Sequence, residues 1–497
     1  MVRTLEHDDV VFMYTPKDTD PLVEYRATFI AWGGAHKAAR VKELHELGIH
    51  CTGTMWCLTA GAETLHENAD AREAVCRDIT GEPILVPWLQ DAQHFYEDTK
   101  PLFGCTNTPA FRAHTRKTVC NAMAGGADGL HIDDHLGAAG SLHCGGCFCD
   151  RCMKRFAEHL QQNDSAELRA QAGVKSFDGF DYRTIVRNHA STKEEYMKVR
   201  EQIPLMREYA DMQLNAAAEH TVQLGKLAAE IVRHPITLSA NCCLPWENHM
   251  VVIPNLTHIV GEVPHDAKEG VANLGLTVSA YRFAEALGKP IAATAHGWDW
   301  AHVKEKDCKN LVRLWIALSY ACGQRFMAPH RMWCHTPEKG THWYYGPTQF
   351  YAPLYQFVRR NRELFRDMQT AGPLAVPPGI SPEVDTWRKR KVFIEALGET
   401  KPLTADGGKV WLFPRTGTNA AVVHALNLDH DAASDSFTPK RSVEISIDEK
   451  IFGRGFSRAT LHSFDTEPRE LTLEGKAGKL MFTLPELKLW GVVKLEM

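Results

Sequence analysis

Between Ala27 and about Leu364, short apolar runs alternate with segments whose apolar residues recur at helical spacing. That alternation is the signature of a parallel α/β architecture. Eight runs read as strands: Thr28 to Trp32, Ile49 to Trp56, Ile84 to Trp88, Leu130 to Asp133, Ile236 to Asn241, Ile259 to Val263, Ile291 to His296 and Arg325 to His330. Helical patterns fall from His36 to Leu47, which Gly48 stops, from Phe111 to about Ala124, and over Val278 to Leu287, Leu311 to Tyr320 and Tyr351 to Leu364. A longer helical insertion is expected over about 153–232. Eight β/α units in one run predict a (β/α)8 TIM barrel over residues 1–375. After Ala371-Gly372-Pro373 and the linker-like Pro377-Pro378-Gly379 the period changes to β-rich runs at hairpin spacing, among them Val410 to Phe413, Ala421 to Leu426 and Val443 to Ile447. Residues 380–497 are therefore expected to form a C-terminal all-β sandwich.

Composition narrows the function. The net charge of -5 comes from interspersed signs, so neither a nucleic-acid surface nor a polybasic membrane patch is expected. The first residues, Met1 to Asp9, lack the apolar stretch of a signal peptide, and no segment has about 18 uninterrupted apolar residues. The expectation is a cytoplasmic protein without membrane partners. Its 14 cysteines cluster in a way that suggests metal binding rather than a disulfide scaffold.

Polar groups gather at the C-terminal ends of the predicted strands, where barrel enzymes keep their catalysts. Asp133, Asp134 and His135 follow the fourth, Asn241 and Glu247 the fifth, and Glu262 and His265 the sixth. His296, Trp298 and Asp299 follow the seventh, and His330, Arg331, Trp333 and His335 the eighth. In the fourth strand, period-two alternation places Leu130 and Ile132 on the helix side and turns Asp133 inward. Gly261 ahead of Glu262 allows a backbone or ligand to come close. Trp32, Trp56 and Trp88 also lie at strand ends. Carboxylates, imidazoles and indoles around one mouth suit a carbohydrate, with carboxylates doing acid and nucleophile work and indoles packing on sugar faces. The candidate catalytic residues are Asp133, Glu262 and Asp134; Trp32, Trp56, Trp88, His135, Asn241, His296, Trp298, His330 and Trp333 are candidates for substrate binding.

Directly after the fourth strand come Cys144, Cys147, Cys149 and Cys152. The last three offer thiolates within one turn; tetrahedral zinc needs a fourth ligand, for which Cys105 and Cys144 both qualify. A closed four-thiolate site would be a structural zinc.

The segments Gly104-Cys105-Thr106-Asn107-Thr108-Pro109-Ala110-Phe111-Arg112 and Cys147-Phe148-Cys149-Asp150-Arg151-Cys152 resemble the ligand segments of the zinc-binding β-galactosidases, glycoside hydrolase family 42. The resemblance implies a zinc held by Cys105, Cys147, Cys149 and Cys152. It departs at the chemistry: Asp133-Asp134 stands where that family has Asn-Glu, and Thr294 to Asp299 contains no glutamate nucleophile. The phrase Asp128-Gly129-Leu130-His131-Ile132-Asp133 is instead similar to the strand-four nucleophile segment of retaining α-glycosidases. That likeness implies Asp133 as nucleophile and Glu262, after strand six, as acid/base, with Asp134 in reserve. Two other readings remain open, a metal-dependent sugar isomerase, epimerase or lyase built on Asp133, Glu262, His265 and His296, and a catalytically inactive carbohydrate-binding barrel. The sugar, its anomer, retention or inversion, and whether the chain forms a homo-oligomer are not fixed by the sequence.

Overall fold

Eight short parallel strands organise the first three-quarters of the chain, as a computed structural model describing residues 2–33, 38–244, 249–338, 340–372 and 402–497. Strands β1 (Val11–Tyr14), β2 (Phe29–Trp32), β3 (His50–Trp56), β4 (Gly129–Asp133) and β5 (Thr237–Ala240) pair in that order; β6 (Ile259–Glu262), β7 (Ile291–Thr294) and β8 (Arg325–Phe326) form a second parallel sheet. Backbone hydrogen bonds cross both gaps between the sheets. The Cys242 N–H donates to the Val260 carbonyl at 3.0 Å, and the Ala328 N–H donates to the Val11 carbonyl at 2.8 Å. The strands are buried almost throughout, which is why their sequences are near-continuous apolar runs rather than strict alternations.

Helices connect and cover these strands. Asp20–Tyr25, Ala38–Glu46 and Pro109–Ala124 follow β1, β2 and β3, and Met206–Val232 leads into β5. Leu274–Ala286, Lys309–Ala321 and Thr348–Arg360 follow β6, β7 and β8, whereas between β5 and β6 the described residues contain no α-helix and carry the 3-10 turn Ile253–Asn255. Local chemistry sets the boundaries. Thr108 accepts a hydrogen bond from the Phe111 N–H, and Pro109 opens the helix at the position that needs no donor.

One expected strand is not a strand. Ile84 to Trp88 follows Pro83 and contains Pro87, neither of which can donate to a ladder, and it folds as an irregular loop that runs into the 3-10 turn Pro87–Leu89. Its apolar character serves a separate purpose, since Ile84 and Val86 are buried in a satellite core with Phe103, Phe148 and Phe156. The missing strand is β1, drawn from the run Val10-Val11-Phe12-Met13-Tyr14. The total of eight is unchanged and Asp133 still ends the fourth. Strand β8 is shorter than expected, because His330–Trp333 turns away to pair with Trp343–Tyr345. The helical stretch begins at Asp150, and its last member, Met206–Val232, packs on Pro109–Ala124 and β4 and leads into β5.

Residues 402–497, joined by Gln369–Thr370, form antiparallel sheets, as the β-rich runs predict. Val410–Thr416, Ala420–Asn427, Trp490–Glu496 and Arg458–Ser463 lie in the larger sheet; Lys440–Asp448 and Lys479–Leu487 lead the smaller one. Val423 and Val493 from the first share a core with Ile445 and Phe482 from the second. The expected linker at Pro377-Pro378-Gly379 and the 375/380 boundary lie outside the described residues, as do His36, where the first helical pattern was expected to begin, and Glu247. The two regions meet through a buried pair, Arg415 to Glu285 at 3.1 Å, and through Trp490 stacked on Tyr320.

Glycines let neighbouring strands approach at the mouth. A Cβ on Gly261 would stand 2.2 Å from the Cys242 carbonyl oxygen, so the expected close approach is made by the backbone following β5. Gly261→Ala should therefore separate β5 from β6 and cost on the order of 1–3 kcal/mol, read as a lowered urea midpoint; an unchanged midpoint would refute the close approach.

Candidate active site

Asp133 ends β4 half-buried, with its carboxylate met by donors from neighbouring strands. Trp56 at the end of β3 donates its indole N–H to Oδ2 at 3.0 Å, and Asn241 just past β5 donates its amide to Oδ1 at 3.0 Å. The Trp32 indole at the end of β2 supplies a further hydrogen bond. Parallel pairing explains the convergence: Trp56 stands level with Asp133 in the register, and Asn241 follows the β5 residue level with Ile132. Burial pushes the Asp133 carboxyl up to about 6, against the pull of these donors and with the help of the Glu262 charge.

Asp134 turns the chain in the left-handed region, at φ 48°, which Asp tolerates better than most residues. Burial, then the charges of Asp133 and Glu262, hold its carboxyl well above the usual range, with only a hydrogen bond from Trp88 opposing. Glu262 ends β6 half-buried. The Cys243 thiol donates to its Oε2 at 3.3 Å, and His296 Nδ1 lies 3.7 Å from the same oxygen. Burial works against the His296 imidazolium, but the Glu262 carboxylate outweighs it and raises the histidine's pKa. Three carboxylates thus act on one another at the C-terminal ends of β4 and β6.

Trp32, Trp56, Trp88 and Asn241 therefore gather on the Asp133-Asp134 pair, and His296 on Glu262. Trp56 and Trp298 keep exposed rings, at 38% and 61%, with Trp298 tilted on His335. Trp333 is half-buried between His335 and Gly297, where a glycine is needed because a Cβ would meet its ring at 2.2 Å. His330 packs against Phe12 and Tyr345. His135 is buried, and its ring faces His249 rather than the carboxylates.

Two residues near the carboxylates escaped the sequence reading. Tyr14 ends the overlooked β1; burial, then the Asp133 charge, raises its hydroxyl pKa, while the Arg331 guanidinium lies 5.5 Å from its ring centre. Cys243 carried no signal beyond its place after strand five, whereas the run Val10 to Tyr14 could have revealed Tyr14.

Behind the loop after β4, Cys105, Cys147, Cys149 and Cys152 bring their sulfurs within 4.8 Å of one another, a set that could hold a metal ion. The Cys105 sulfur lies 3.7 Å from that of Cys149 and 3.5 Å from that of Cys152, while tetrahedral zinc with bonds of about 2.3 Å spaces its sulfurs by about 3.8 Å. Cys105, not Cys144, completes the set. Asn107 donates to the Cys152 sulfur at 3.2 Å and Tyr209 donates to the Cys147 carbonyl, contacts that would orient the ligands.

Neither protein-family models nor curated proteins give a match to the sequence. Solved structures do match the fold. An α-L-fucosidase isoenzyme 2 from Paenibacillus thiaminolyticus is similar at TM-score 0.60 and 11% identity, covering 99% of this chain and 100% of its own. A β-galactosidase from Bacillus circulans sp. alkalophilus is similar at TM-score 0.55 and 10% identity, over 98% of this chain and 99% of its own. A noncanonic maltogenic α-amylase from Thermotoga neapolitana is similar at TM-score 0.51 and 8% identity, over 99% and 100%. The chain thus has a glycoside-hydrolase-like fold, a mixed α/β region followed by all-β sheets.

The thiol cluster predicts its own behaviour. The purified protein should carry about one equivalent of metal on these sulfurs that resists mild chelation, and Cys149→Ser should remove it and lower the melting temperature more than it alters substrate preference. Thiols that titrate freely in a parent of full stability would rule this out.

Proposed function

We propose that the protein is a retaining glycosidase acting on a small glycoside or oligosaccharide, its strands closed into a (β/α)8 barrel that a β-sandwich buttresses. Asp133 attacks the anomeric carbon, forming a glycosyl ester as the bond to the leaving oxygen breaks. Glu262 gives that oxygen its proton, then takes one from the water that releases the sugar and frees Asp133. The observation that carries this reading is the Asp133 carboxylate, held by Trp56, Asn241 and Trp32 at a strand end and coupled electrostatically to Glu262. The exposed indoles of Trp56 and Trp298 suit sugar faces. The four-thiolate set fits a structural zinc that fixes the loop after β4 without touching substrate. A cytoplasmic setting belongs to this reading, since the cysteines cluster as a metal set and not as a disulfide scaffold.

Asp134 is the rival acid, because burial and the charges of Asp133 and Glu262 raise its carboxyl pKa. The isomerase reading loses a ligand: His265 is buried against Trp315 and Phe326, with Nδ1 on the Val263 carbonyl.

Asp133→Asn should lower turnover at least about a thousandfold, roughly 4 kcal/mol of transition-state stabilisation, with the fold intact by circular dichroism. Glu262→Gln should spare activated aryl glycosides relative to natural ones, and azide should rescue Glu262→Ala with retained configuration. Leaving-group dependence in Asp134→Asn alone would transfer the acid role to Asp134; normal turnover in both Asp133→Asn and Glu262→Gln would end the glycosidase reading.

The nucleophile must be ionised, so its raised pKa sets an acidic limb. The kcat/KM of the parent should fall as pH drops through about 6 and stay high above it, before any alkaline loss from the acid/base. A limb near the ordinary Asp value of about 4 would show that Asp133 is not desolvated in the working enzyme.

A further inference from the structure

The geometry points to a second metal site, separate from the four thiols, formed by His135, Cys242 and His249. Their ligand atoms lie within 4.8 Å of one another, and all three residues are buried. They come from different parts of the fold: His135 from the turn after β4, Cys242 from just past β5, and His249 from the segment before Ile253–Asn255. The His135 and His249 rings are 5.0 Å apart, centre to centre. Two buried imidazoles and a buried thiol turned toward one point are poor core packing but an ordinary zinc set.

His135 supplies the independent sign. Its Nδ1 is buried with no hydrogen-bond partner among the described residues. A buried imidazole nitrogen left without a donor or acceptor beside a second histidine and a thiol offers a lone pair to a metal. Zinc holds such nitrogen and sulfur atoms about 3.3–3.8 Å apart, so modest side-chain rotations close the set around one ion. Binding would release the Cys242 thiol proton to solvent and leave both imidazoles neutral. The fourth position falls to a small ligand such as water.

The site's place in the chain gives it a consequence. Cys242 stands between Asn241, which donates to Asp133, and Cys243, which donates to Glu262. An ion on Cys242 and His135 would tie the ends of β4 and β5 together and hold both contacts in place. This makes the three ligands positioning residues. The positioning role rests on the glycosidase reading; the ion does not.

Zinc in the purified protein, counted by mass spectrometry after mild chelation, tests the site without any turnover assay. The parent should hold about two equivalents, Cys242→Ser and His249→Ala about one each, and Cys149→Ser the other one. In the cobalt-exchanged parent, Cys242→Ser should remove part of the thiolate-to-metal absorption while the four-thiolate bands remain. Should Cys242→Ser fail to fold, His249→Ala carries the same count. A parent with one equivalent, unchanged in Cys242→Ser and His249→Ala and lost only in Cys149→Ser, would overturn the second site whether or not the protein hydrolyses glycosides.

Discussion

Everything at the mouth depends on the cost of holding three carboxylates close together away from water. Asp133, Asp134 and Glu262 each raise the energy of a neighbour's charge, and burial adds to it. The site answers with donors at Asp133, whose charge-assisted hydrogen bonds contribute about 1.5–3 kcal/mol each. Asp134 has a single donor, from Trp88, which leaves its pKa well above the usual range. Burial and neighbouring charge thus act on adjacent acids unequally, opposed by several donors at Asp133 and by one at Asp134.

The donors are only as good as the strand register that delivers them. Trp56 and Asn241 reach Asp133 because β3, β4 and β5 run parallel with their ends level, and Cys243 reaches Glu262 because the chain passes from β5 close against Gly261. The four thiols grip the loop after β4 from outside, between the segment before Pro109–Ala124 and the start of Asp150–Gln162. Backbone register thus decides which side chains meet Asp133 and Glu262.

The all-β region stands apart from this chemistry and bears on it through packing. Arg415 is buried at the interface and bonds both Glu285 and the Met368 carbonyl, so neither charge is left unpaired. Trp490 packs among Tyr320, Phe357 and Phe365, which continues the apolar core of the α/β region into the sheets. The two parts share a core at this junction, and the sheets brace the helices behind β7 and β8.

Much of this was legible in the chain itself. The apolar runs at Leu130, Ile259 and Ile291 marked buried strands because parallel strands covered on both faces must be apolar, and Asp133 and Glu262 stood out as charges at the ends of such runs. The spacing of Cys147, Cys149 and Cys152 announced a set that could hold a metal, because three thiols that close in sequence cannot avoid one another in space. Other features had no local signal. Ile84 to Trp88 has a strand's composition but packs under a loop, since burial selects apolar residues whatever the backbone does, while β1 was hidden near the chain's start. The choice of Cys105 over Cys144, the thiol of Cys243 on Glu262, and the meeting of His135 with Cys242 and His249 join residues up to 114 positions apart. Only the tertiary structure decides such pairings, because they depend on which strand ends lie side by side, and that is set by the packing of the whole chain.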